Sequence, residues 1–187
     1  MQGKKDGPMD CYSCCFTGHR LLPKDALPQL RRNLLLRMTA LIEEREVRFF
    51  YSGAAVGFDT LAAECVLSLK ERYPSIQLLL ALPCRDQDAR WPQEARERYR
   101  RLCQAAQGTV LLAEQYFDGC MQQRNRFLVD QSAYCVYYQN HPGGGTGYTL
   151  RYARQKGLAL FRVTERPEEA LPQLRMEPPA GRFPPKP

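Results

Sequence analysis

The chain has 187 residues, room for one domain of ordinary size. Its 44% hydrophobic and 25% charged content excludes wholesale disorder, and its longest apolar run, residues 78–83, is far too short to cross a bilayer. Twenty-seven Lys and Arg against 20 Asp and Glu give a net charge of +7, which suits an anionic partner: nucleic acid or a small phosphorylated ligand.

Residues 1–10, with Gly3, Gly7 and Pro8, read as a flexible lead that carries charge but no secretory h-region. With no membrane insertion expected either, the chain reads as cytoplasmic. Apolar runs of strand length follow at 13–17, 48–52, 77–82, 109–112, 133–138 and 159–163. Helical spacing fills the gaps. A first helix covers about 25–46. The second carries Phe58, Leu61, Ala62, Cys65 and Leu69 as one continuous stripe, with Glu64, Lys70 and Glu71 off it. A third covers about 93–106, a fourth about 121–131, and a fifth begins near Thr146. Residues 11–166 form the domain. The stretch 167–187, with a short helix near 168–171, holds seven of the fourteen prolines and reads as a disordered tail. Apolar strands each followed by a crossover helix predict an α/β fold, a Rossmann-like three-layer sandwich with a mostly parallel central sheet.

Ligands of such sheets bind beyond the carboxyl ends of the strands. There the sequence places Gly18-His19-Arg20 after the first strand and Ser52-Gly53 through Asp59 after the second. After the fifth come His141-Pro142 and the turn Gly143-Gly144-Gly145-Thr146. Glycine lets backbone N–H groups approach a ligand, and a following helix turns its positive end toward an anion. Each turn alone has a second reading as loop punctuation, while the three together favour a phosphate-bearing ligand. The turn at 143–146 matches neither a complete dinucleotide fingerprint nor a Walker A loop. Arg20 suits a phosphate and His19 a base or ribose, against the reading of both as surface residues. Asp59 either caps its helix or holds ribose hydroxyls. Arg124 and Asn125, near the start of the fourth helix, reach the same edge, while Asp130 caps or pairs nearby. Gln87 and Trp91 lie after the third strand, Trp91 as a base-stacking ring or a hydrophobic plug.

The eight cysteines sit mainly in apolar surroundings and read as free thiols. Cys11 and Cys14 lack the second pair a structural zinc needs, so no metal is expected. No Ser-His-Asp order, HExxH or paired carboxylates stand out, so no catalytic residue is assigned. Arg96, Arg98, Arg100 and Arg101, interleaved with Glu94 and Glu97, read as a solvated helix face.

Several segments occur in an order that resembles one family: 15–20, 52–60 with Ala63-Glu64, Gln87 and Trp91, Arg124-Asn125 with Asp130, and 144–146 with Tyr152-Ala153. That family is the YpsA/YspA-like branch of the SLOG superfamily, the group that includes DprA and LOG proteins. The resemblance covers about residues 11–165. It implies a bacterial Rossmann-like domain that binds a nucleotide or nucleotide-derived ligand, acting as a sensor or regulator with no required cofactor. It places the pocket at the three turns already named and makes a homodimer possible. Two departures stand out. Where the family usually has two adjacent glycines, this chain has Gly53-Ala54, and the extra methyl is expected to narrow the space for a phosphate. The glutamate of LOG phosphoribohydrolases, three residues after the loop threonine, is matched here by Thr149, which argues against hydrolysis of an N-glycosidic bond unless Glu64 is recruited. That hydrolysis, and DprA-like nucleic-acid binding, are the alternatives to a nucleotide-binding module.

Overall fold

A computed structural model describes residues 11–164; the lead at 1–10 and the tail at 167–187, with its short helix, lie outside the described residues. Six strands and five helices alternate: β1 (Ser13–Gly18), α1 (Leu27–Arg45), β2 (Phe49–Ser52), α2 (Phe58–Leu69), β3 (Gln77–Leu82), α3 (Gln93–Ala105), β4 (Gly108–Leu111), α4 (Cys120–Asp130), β5 (Tyr134–Tyr138), α5 (Gly144–Gln155) and β6 (Ala159–Arg162). The strands form one sheet in the order β4-β3-β2-β1-β5-β6. Every pairing is parallel. This is the expected Rossmann-like architecture.

Burial follows position in the sheet. Central β1 is buried from Ser13 to Thr17, as a strand covered on both faces requires. Edge strand β4 leaves Thr109 and Val110 exposed. Helix α1 packs on α2, α2 on α3, and α4 on α5. The larger core joins Phe16, Phe50, Phe58 and Phe161 with Leu34, Met38 and Leu41. A smaller one gathers Cys15, Ala81, Cys135, Leu128, Val129 and Leu150. All eight cysteines are unpaired, and six of them are buried. Among the described residues no helix is long and apolar enough to cross a membrane.

Charged side chains fasten two of the helices to their neighbours. On α3, Arg98 donates to both carboxylate oxygens of Glu64 at 3.0 and 2.9 Å, fastening α3 to α2. Arg100 and Arg101 face solvent as expected. At the far end of α4, Asp130 accepts from the Tyr152 hydroxyl at 2.9 Å and pairs with Lys156 at 3.2 Å, so it joins α4 to α5.

The chain steps outward from β1 through β2 and β3 to β4, then returns by α4 to place β5 on the other side of β1. Strand order therefore reverses between β1 and β5. Their connections diverge at the carboxyl edge, where ligands of this architecture bind.

Candidate functional site

The turn after β1 is stitched to the start of α2. A Cβ on Gly18 would lie 2.5 Å from the Phe58 Cβ, so glycine is what lets α2 close against the strand end. The Phe58 N–H donates to the His19 carbonyl at 3.1 Å. Gly57 has φ of +96°, and a Cβ there would stand 2.3 Å from the Arg20 carbonyl oxygen. The Arg20 side chain is exposed. Its charge acts on Asp59 and Arg124.

The loop after β2 folds around buried polar groups. Ser52 Oγ donates to the Asp59 carbonyl at 3.1 Å and accepts the Ala54 N–H at 3.1 Å. A Cβ on Gly53 would fall 1.6 Å from Arg124 Nη1 and 2.8 Å from Asp59 Oδ2. The space beside Gly53 thus belongs to an ion pair, Arg124 to Asp59 at 3.8 Å, with both side chains buried. Burial pushes the Asp59 carboxyl up to about 6, against the opposing pull of Arg124, Arg20 and the Ala55 backbone. Burial also lowers Arg124, although Asp59 favours its charge. The Arg124 Nε donates to Asn125 Oδ1 at 2.8 Å. Gln87 Nε2 donates to the Gly53 carbonyl at a long 3.5 Å, while Gln87 Oε1 and Arg124 Nη1 are buried without a hydrogen bond.

The turn before α5 is different. Gly143 is the N-cap with φ of +97°, Gly144 follows at +61°, and no side chain caps the helix. The first-turn N–H groups of Gly144, Gly145 and Thr146 are therefore left for another acceptor. A Cβ on Gly143 or Gly144 would meet nothing within 4 Å. Asn125 Nδ2 stands 3.9 Å from a Cβ built on Gly145, which joins this turn to the Arg124 cluster. Helix α5 begins two residues earlier than expected, so the glycines are its first turn and Thr146, buried, is not the cap.

Of the residues singled out in the sequence, Gly53, Asp59, Gln87, Arg124 and Asn125 form one network that reaches Gly145, whereas Trp91 and Asp130 stand apart from it. Trp91 packs edge-on against Tyr99 at 5.4 Å and against the larger core, the plug reading. Two residues named in these loops carried no assigned role. His141, exposed, stacks on His19 with ring centroids 4.0 Å apart and planes 19° from parallel. Gly57 supports the Arg20 turn. The signal for His141 was its place directly after β5, and it becomes readable once β5 is known to lie beside β1.

The sequence pattern of the YspA SLOG family matches residues 23–160. The chain belongs to that family. Relatives include an uncharacterized SPbeta prophage-derived protein of Bacillus subtilis, YoqJ, 28% identical over 72% of this chain and 87% of its own length. A UPF0398 protein of Halalkalibacterium halodurans is 32% identical over 64% of this chain and 65% of its own. The fold is similar to that of DNA processing protein A from Helicobacter pylori, with TM-score 0.59 and 20% identity, covering 90% of this chain and 74% of that one. It is also similar to DprA from Streptococcus pneumoniae, with TM-score 0.56 and 17% identity, where this chain spans 49% of the other.

Within this SLOG domain, the two departures take a definite shape. The Ala54 methyl does not narrow a phosphate site: it is fully buried in the larger core. Its cost is a left-handed backbone, φ of +50°. Thr149, at the position of the LOG glutamate, donates its hydroxyl to the Gly145 carbonyl at 2.8 Å, back into its own helix. Glu64 is held by Arg98, so it is not a spare carboxylate.

Proposed function

We propose that this SLOG domain is a regulatory module that binds a nucleotide-type ligand by its phosphate, in the crevice between β1 and β5. One observation carries the reading: the uncapped first turn of α5, whose left-handed glycines border open space. Backbone N–H groups at a helix start and the positive end of its dipole favour an anion. The exposed Arg20 adds charge at the same edge, and Asn125 links it to the Asp59–Arg124 pair. Binding without turnover is the better fit, because Thr149 and Glu64 are both engaged within the protein and neither offers a free carboxylate.

Calorimetry with the four ribonucleoside monophosphates and the matching nucleosides tests the proposal. Micromolar to millimolar binding of the phosphorylated set, absent for the nucleosides and weakened about ten-fold or more by Arg20→Ala, is the expected result. Equal binding of nucleosides and nucleotides overturns it. Free base appearing in the same mixtures establishes the hydrolase alternative instead.

A second reading is single-stranded nucleic acid. The +7 charge favours it, as does a fold shared with the H. pylori protein, whose structure is described as showing a single-stranded DNA binding mode. A salt-dependent gel shift of an oligonucleotide, stronger than any mononucleotide binding, marks this outcome.

A further inference from the structure

We propose that His141 is a stacking platform for a planar aromatic ring of the ligand, so that the crevice selects phosphates that carry a nucleobase-like ring over those that do not. The inference rests on the phosphate-binding reading and adds the second half of the ligand to it.

A column of rings leads from the core to the rim. Phe58 stacks with Tyr138, centroids 6.0 Å apart. Tyr138 meets His19 edge-on at 6.0 Å. His19 then lies nearly parallel under His141 at 4.0 Å. The first three members are buried or half-buried, while His141 is exposed. One face of the His141 imidazole is thus covered and its other face has no ring partner among the described residues. The chain's two histidines are the last two rings of this column.

The platform is held in place before any ligand arrives. His19 is met edge-on from below by Tyr138, and burial together with the neighbouring imidazole lowers its affinity for a proton. His141 is followed by Pro142, which limits the backbone between ring and glycine turn. Gly144 lies three residue steps after His141, at most roughly 11 Å of chain. A ring on His141 and a phosphate on the α5 N–H groups therefore lie within the reach of one mononucleotide. Stacking on an aromatic face tolerates any base, which suits a site with few directed donors at the ring end.

The test compares the ribonucleoside monophosphates with ribose 5-phosphate on the wild-type chain, His141→Ala and His141→Phe. His141→Ala is expected to weaken nucleotides on the order of ten-fold and to leave ribose 5-phosphate within about two-fold, with His141→Phe restoring the nucleotides. On the wild-type protein, the imidazole Cε1–H signal of His141 is expected to move upfield with a nucleotide and not with ribose 5-phosphate. Equal weakening of both ligand classes, or none, overturns the platform and leaves phosphate binding standing. Failure of the wild-type chain to bind either class removes both.

Discussion

On the β2 side of the crevice, Gly53 and Gly57 are pressed against the Arg124 guanidinium and the Arg20 carbonyl, whereas on the α5 side Gly143 and Gly144 border nothing within 4 Å. Both stretches are glycine-containing turns at the carboxyl edge of one sheet, and in sequence they look alike. The first uses glycine to admit the protein's own atoms; a residue with a Cβ is excluded there by contact. The second uses it to leave backbone N–H groups uncovered. Of the two turns, the second has open space beside its glycines, so the Asp59–Arg124 cluster forms a wall and the α5 turn is the receptor of the proposed function.

The largest effect expected from disturbing this contrast is on the wall. Arg124→Ala leaves the Asp59 carboxylate buried without its cation and is expected to destabilise the fold by about 3–5 kcal/mol in denaturant titration. Replacing both partners with apolar residues is expected to cost less than that single change. An Arg124→Ala protein as stable as the wild type contradicts the wall.

Gly53→Ala comes next, about 3 kcal/mol from driving a methyl into the buried guanidinium. Gly144→Ala instead carries only the left-handed backbone term, about 1–2 kcal/mol. It is expected to lose far more in ligand affinity than in melting temperature. Similar profiles for the two variants erase the distinction between the two sides.

How far this was readable beforehand follows from the same residues. The strands were visible as short runs apolar throughout, because a sheet covered on both faces demands them, and the stripe from Phe58 to Cys65 marked α2. The start of α5 was misplaced because glycine is a poor helix former, and the first turn of a helix tolerates it best. The burial of Arg124 was hidden, since a charged residue on a polar-looking helix reads as exposed until Gly53 is seen to make room for it. The His19–His141 stack needed the neighbour relation of β1 and β5, which no local pattern carries.

Acidity probes the wall more gently. With Asp59 at about 6 in the fold against an ordinary 3.8, the native state holds this proton more tightly than the unfolded chain. The stability it contributes is full below about pH 4 and is lost as pH rises through 6. Denaturation midpoints measured between pH 4 and 7 are expected to show this fall, and Asp59→Asn to flatten it. The smallest change expected is for Ala54→Gly. Relief of a left-handed residue, about 1–2 kcal/mol, offsets the loss of a buried methyl worth about 0.8 kcal/mol. A net shift within about 1 kcal/mol follows, with ligand affinity unaltered.

Cys15 of β1 pairs with Cys135 of β5 across most of the domain's length, and Thr17 with Tyr137. A ribosome must therefore deliver nearly the entire sheet before the innermost strand gains its second neighbour. Contacts so distant along the chain form late, after loop closure has been overcome. A site between β1 and β5 is accordingly completed late in synthesis or refolding, so under the proposed function ligand capture would report finished assembly.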